Sequence, residues 1–114
     1  KTFAILNAGM NDFMRTALYD AMHNIIPVVK NGKKHKGVIE FVGPICETTC
    51  KFIKYNKYQR LNQSDYVAIS DVGAYGASLS SNYNTKPLIA EVIINRSKAR
   101  VIRKKQDIKS LLNQ

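Results

Sequence analysis

The sequence predicts a mainly β domain, a sandwich or barrel of mostly antiparallel strands with one helix laid across it. Three observations carry this expectation. Short apolar, β-prone runs recur between Gly, Pro and Asn breaks. A single early segment has apolar residues at helical spacing, and two late apolar runs flank the turn-like Asn95-Arg96-Ser97-Lys98 as the arms of a hairpin would. The length of 114 residues suits one domain, and 45% apolar residues suffice for one core.

Taken in order, residues 2–6 are apolar and β-prone and predict a short buried strand, broken by Asn7-Ala8-Gly9. Asn11 or Asp12 then caps a helix by accepting from the unpaired N–H groups of its first turn. Met14, Leu18, Ala21, Met22 and Ile25 recur at helical spacing as its apolar stripe, and Pro27 ends the helical region. Arg15 and Tyr19 are four apart and share the neighbouring face. Residues 38–42 predict a strand, preceded by a loop with Gly32 and Gly37 and closed by Gly43-Pro44. Residues 51–55 predict another. The polar turn Asn62-Gln63-Ser64-Asp65 introduces a strand at 66–70, residues 88–94 and 99–102 form the hairpin, and 107–112 form a short terminal helix. No internal repeat or low-complexity segment is present.

The net charge is +10. It gathers in Lys30, Lys33, Lys34 and Lys36, then in Lys51, Lys54, Lys57 and Arg60, then in Arg96, Lys98, Arg100, Arg103, Lys104 and Lys105. A basic nucleic-acid-binding β module is one reading of that charge. No nucleic-acid motif accompanies it, so solvated loops and outer strand faces are the preferred reading, with neither nucleic acid nor membrane expected as a partner. Apolar runs are too short to span a bilayer, and no basic start followed by an apolar stretch marks a secretion signal. The chain begins with Lys rather than Met, which leads to the expectation of a fragment whose natural N-terminus lies upstream. Cys46 and Cys50 have no second cysteine pair, and His23 (expected on the helix) and His35 lack ligand-like spacing, so no metal site is expected. A cytoplasmic location is expected, in which a disulfide is not.

Chemistry concentrates in Gly43-Pro44-Ile45-Cys46-Glu47-Thr48, where a strand end delivers a thiol beside a carboxylate. An anionic neighbour disfavours the thiolate, so Cys46 suits a neutral proton donor better than a nucleophile. The alternative is a buried, inert cysteine. Arg15 and Glu47 are each ordinary surface charges taken alone; together they suit the carboxylate and ammonium of an amino-acid end group. Tyr75, between Gly73 and Gly76, is either a turn aromatic or a phenol reaching a phosphate or substrate.

Four motifs then assemble into a resemblance. The stretch from Asn7-Ala8-Gly9-Met10-Asn11-Asp12 through Arg15 and Tyr19 to Ala21 is similar to one in bacterial diaminopimelate decarboxylases. Val42-Gly43-Pro44-Ile45-Cys46-Glu47-Thr48, Asp71-Val72-Gly73-Ala74-Tyr75-Gly76 and Ser81-Asn82-Tyr83-Asn84 resemble their later motifs, in the same order. The resemblance implies that residues 1–114 are one C-terminal β-sandwich or barrel domain of the alanine-racemase-like, fold-type III pyridoxal phosphate enzymes. The (β/α)8 barrel that holds most of the cofactor is absent from this chain, as is a strand that the β domain borrows from the extreme N-terminus. The implied activity is conversion of meso-2,6-diaminopimelate to L-lysine and carbon dioxide, with the isolated domain inactive.

The resemblance also implies roles. Cys46 would donate the proton to the carbanion left by carbon dioxide, and Arg15, Tyr19 and Glu47 would bind substrate, Glu47 at the distal amino group. Tyr75 would contact both substrate and cofactor phosphate. Cys46 and Glu47 would act in the partner's site, so a homodimer is implied. Ornithine- and arginine-type decarboxylases are the nearest alternative. They typically have Asp after the cysteine and lack the helix arginine, and ornithine has no distal carboxylate to bind. Cys50 stands where many relatives have Asp, Lys86 where Arg is common, and residues 51–63 are rich in Lys and Tyr.

Overall fold

Phe41 has no exposed surface, and the fold is organised around it. It sits in the strand Ile39–Val42, where Ile39 is also buried. Tyr55 and Tyr58 meet its ring edge-on, with centroids 5.9 and 4.9 Å away. Burying such a side chain contributes about 1.5–3 kcal/mol. Ile25 completes the buried cluster, with Ala4, Leu6, Phe52, Ile53, Leu61, Val67 and Ile69 packed around it.

The computed structural model describes residues 1–113. In chain order they form β1 (Thr2–Ile5), α1 (Arg15–Tyr19), β2 (Ile25–Pro27), β3 (Ile39–Val42), β4 (Lys51–Tyr55), β5 (Val67–Ile69), a 3-10 turn (Tyr83–Thr85), β6 (Glu91–Asn95), β7 (Lys98–Arg103) and α2 (Ile108–Leu112). The strands make three small sheets, ordered β1-β3-β4, β2-β5 and β6-β7. The architecture is mainly β, as expected, but no closed barrel forms among the described residues. The β6-β7 hairpin turns where the sequence placed it, with Arg96 at φ +54°. The radius of gyration, 15.2 Å, exceeds the ~13 Å of a tightly packed domain of this length. No helix among the described residues is long and apolar enough to cross a membrane.

Several expectations need correction. The first strand exists but is not buried: Phe3 is 51% and Ile5 74% exposed. Among the described residues it is an edge strand paired only with β3, and this is the one parallel pairing in a set that is otherwise antiparallel, as expected. The early helix is five residues long and starts from Met14, not Asn11 or Asp12. Asp12 instead closes a preceding turn, its Oδ2 accepting from the Gly9 N–H at 2.9 Å. Asp20 adopts left-handed backbone at φ +50° and ends the helix.

The predicted apolar stripe therefore dissolves. Leu18 and Met22 are exposed. Ile25 is buried, but as a strand residue opposite Ile69, and Pro27 lies within β2 rather than terminating a helix. His23 lies between α1 and β2, its ring edge-on to Phe13 and its Nδ1 3.0 Å from the Ser70 carbonyl. Tertiary hydrogen bonds outweigh the helical spacing: the Ile25 N–H donates to the Tyr55 hydroxyl at 2.8 Å, and the Tyr58 hydroxyl donates to the Ile25 carbonyl at 3.0 Å. Burial pushes the Tyr58 phenol up to about 12, with the Tyr55 phenol adding to the rise.

Glu40, between Ile39 and Phe41, points to the other side of the sheet and is only 5% exposed. Lys1 Nζ reaches it at 2.8 Å and Lys54 Nζ at 3.5 Å. The hydrogen bond from Lys1 holds its carboxyl below the usual range against the opposing effect of burial, and the charges of Lys1 and Lys54 add to the lowering.

Candidate active site

Two glycines bring the motif loops together. Gly43 follows β3, and its N–H donates to the Cys50 carbonyl at 2.8 Å, closing the loop 43–50. A Cβ on Gly43 would collide with Cys50 Sγ and lie 2.8 Å from both the Ala8 carbonyl oxygen and Gly9 Cα. A Cβ on Gly9 would lie 2.7 Å from Asn11 Oδ1 and 2.9 Å from Ile45 Cγ1. Only hydrogen at these two positions lets the loops 7–13 and 43–50 touch. The Met10 N–H, 3.4 Å from Cys50 Sγ, adds a further tie.

That contact decides which way the loop's side chains face. Ile45 and Cys50 are buried in the junction, and Cys46 and Glu47 are exposed between them. The Glu47 N–H donates to the Ile45 carbonyl at 2.8 Å, and the Cys50 N–H to the Glu47 carbonyl at 3.0 Å. Both cysteines are free. The inert, buried cysteine is thus Cys50, whereas the thiol of Cys46 is offered to solvent.

The second part of the site is built on α1. Arg15 and Tyr19 do share a face, and the Arg15 guanidinium carbon lies 5.8 Å from the centroid of the Tyr19 ring. Tyr75 comes in from the segment 71–76 to the same group, 5.1 Å away. Each such contact contributes about 0.5–1 kcal/mol at an exposed site. Backbone passes closely at Gly76, whose N–H donates to the Val72 carbonyl at 2.8 Å and where a Cβ would strike that oxygen.

Tyr83, in the run Ser81-Asn82-Tyr83-Asn84, carries a role that the sequence alone does not reveal. Its hydroxyl donates to Glu47 Oε1. That hydrogen bond, then the carboxylate's charge, raises the phenol's pKa and keeps it a proton donor. The available signal was a tyrosine between two asparagines in a turn-forming run, which marks a side chain aimed by its backbone.

The expected site residues thus form two groups, Arg15 with Tyr19 and Tyr75, and Cys46-Glu47 with Tyr83. No ion pair joins Arg15 to Glu47 among the described residues. Glu47 is exposed and Arg15 half-exposed, and neither charge is neutralised by the other. Among the described residues no cluster of three or more His, Cys, Asp or Glu side chains suits a metal. The first two basic runs converge on one cleft of about 420 Å³, where Lys30, Lys33 and Lys34 face Lys57.

A β domain that brings an exposed Cys-Glu pair and a tyrosine-bracketed arginine out of these motif loops has counterparts among known proteins. Residues 1–73 match the family described as pyridoxal-dependent decarboxylase, C-terminal sheet domain, and the chain belongs to that family. It is 40% identical over 110 residues to the diaminopimelate decarboxylase of Zymomonas mobilis, covering 96% of this chain and 26% of that protein. It superposes with a TM-score of 0.89 on the crystal structure of Helicobacter pylori diaminopimelate decarboxylase (I148L mutant) complexed with L-lysine, at 39% identity, covering 97% of this chain and 27% of that one. Against the M. jannaschii enzyme the TM-score is 0.91 at 32% identity, covering 98% and 25%. The chain thus spans about a quarter of the length of the relatives it matches.

Proposed function

We propose that this chain is the C-terminal domain of a diaminopimelate decarboxylase, which removes carbon dioxide from meso-2,6-diaminopimelate to give L-lysine. The observation that carries the reading is that the chain offers both a guanidinium beside two phenol rings, without an ion-pair partner among the described residues, and an exposed carboxylate next to a thiol. An amino-acid end group needs both charges. Arg15 offers a planar fork for a carboxylate, and Glu47 offers an acceptor for an ammonium. A substrate with only a distal amine would leave Arg15 without a partner, which favours diaminopimelate over ornithine. The solved relative that holds L-lysine supports the same ligand class.

Pyridoxal phosphate supplies the electron sink that stabilises the carbanion left when carbon dioxide departs. The residues present fit one edge of that cofactor: the exposed phenol of Tyr75 beside the Arg15 cation suits a phosphate. The remaining contacts belong to the barrel domain upstream. Arg15 and Tyr19 orient the substrate by its distal carboxylate, and Glu47 by its distal ammonium. The thiol of Cys46 delivers its proton to the carbon that lost the carboxylate. In this reading the working unit is a cytoplasmic homodimer, in which the exposed Cys46-Glu47 loop of one subunit completes the site that Arg15, Tyr19 and Tyr75 line in the other.

Cys46→Ala in the full-length enzyme tests the acid. Turnover of meso-diaminopimelate is expected to fall by about 10²-fold or more. Turnover near that of the wild type overturns the assignment.

A further inference from the structure

Tyr83 is held by more structure than an exposed turn residue requires. The next two residues, Asn84 and Thr85, both have left-handed backbone, at φ +58° and +57°. Threonine is β-branched and rarely adopts that region, so the pair stores strain that persists only where the surroundings impose it. Here they do so from both sides. Asn82 Nδ2 donates to the Lys86 carbonyl at 2.8 Å and to Gln106 Oε1 at 2.6 Å. Gln106 Oε1 also accepts from the Leu88 N–H at 3.0 Å, and the Gln106 N–H donates to the Leu88 carbonyl at 2.9 Å. On the other side, the Ser81 N–H donates to the Asn11 carbonyl at 2.9 Å, and the Tyr83 N–H to Ser81 Oγ at 3.3 Å.

The clamp therefore ties the turn 81–86 to the loop 7–13 at one end and to the segment before α2 at the other. Its one product on the outer surface is the phenol that meets the Glu47 carboxylate. A glutamate on an exposed loop has three rotatable bonds, and one fixed donor on Oε1 removes most of that freedom while leaving Oε2 to accept. We infer that Tyr83 is a positioning residue that holds Glu47 in the orientation that receives the substrate's distal ammonium, with Asn82 and Gln106 fixing the strained turn beneath it. This role rests on the reading of Glu47 above.

The test uses the full-length holoenzyme and a double-mutant cycle. Tyr83→Phe removes one hydroxyl from a half-exposed ring, so the melting temperature stays within a degree or two of wild type. KM for meso-diaminopimelate rises about 5- to 10-fold while kcat changes less than about twofold, the pattern of a lost ground-state contact. In a Glu47→Gln background the same substitution adds less than about twofold, because the group it positions is already altered. A merely structural tyrosine would lower thermal stability and act equally in both backgrounds. An unchanged KM, or equal factors in the two backgrounds, overturns the role. A wild-type holoenzyme that releases no carbon dioxide from meso-diaminopimelate overturns the reading of the site and this role with it. An active wild type with an inert Tyr83→Phe overturns the role alone.

Discussion

Replacing Gly43 by alanine sets one methyl group against two kinds of neighbour. The Cys50 sulfur is a side chain and can in principle be removed, but the Ala8 carbonyl oxygen and Gly9 Cα are backbone, 2.8 Å from the new carbon. Ordinary contact begins near 3.4 Å, so the two loops must separate by about 0.6 Å. Overpacking of this kind costs about 1–3 kcal/mol, and the upper half of that range is expected because backbone on two sides must yield. Urea denaturation of the 114-residue chain measures it. Adding Cys50→Ala relieves only the sulfur and recovers less than half of the loss. In the full-length enzyme the displacement moves Cys46, three residues on, and a misplacement approaching 1 Å lowers turnover by up to about 10²-fold. A Gly43→Ala chain within about 0.5 kcal/mol of wild type would refute the reasoning, as would full rescue by Cys50→Ala.

Two further expectations concern pH. The Glu40 carboxyl is held below its ordinary value of 4.5, so its contribution is complete above that value and is lost as pH falls through the folded one. Urea midpoints should drop more steeply below about pH 4.5 in the wild type than in Glu40→Gln, and parallel profiles would count against the pairing with Lys1 and Lys54. The Tyr58 phenol behaves in the opposite sense. Raised from 10.0 to about 12, it contributes stability below pH 10 that is lost as pH rises toward 12. Tyr58→Phe should flatten stability across that interval, and an unchanged alkaline slope would contradict the burial of its hydroxyl.

The site was more legible than the core around it. Arg15 and Tyr19 could be paired from their spacing alone, because four residues make one helical turn whether the helix is long or short. Cys46 and Glu47 were marked by a strand that ends at Gly43-Pro44, a break that does not depend on distant contacts. Leu18 and Met22 misled because helical spacing records which residues are apolar, not which of them find a partner surface. In this chain the partner surface went to Ile25, drawn into a strand by the hydroxyls of Tyr55 and Tyr58. Those tyrosines lie in a stretch whose lysines suggest a solvated segment, and nothing local shows that their rings turn inward onto Phe41. Glu40 was equally hidden: its partner Lys1 is distant in sequence and becomes a neighbour through the parallel pairing of β1 with β3. The Tyr83 contact required a fold that brings residues 47 and 83 together.

The contact of Arg15 with both Tyr19 and Tyr75 has a consequence for how binding energy is used. A free arginine side chain carries about 2 kcal/mol of rotamer entropy, which an incoming carboxylate would otherwise have to overcome by ordering it. Here two rings, one from the same helix and one from a segment sixty residues later, confine the guanidinium before any ligand arrives. On the proposed role of Arg15, the loss is incurred once, when the chain folds, and is not repeated each time a substrate binds. Under that proposal, binding strength at the carboxylate end is free to be expressed as selection between substrates that possess that group and those that lack it.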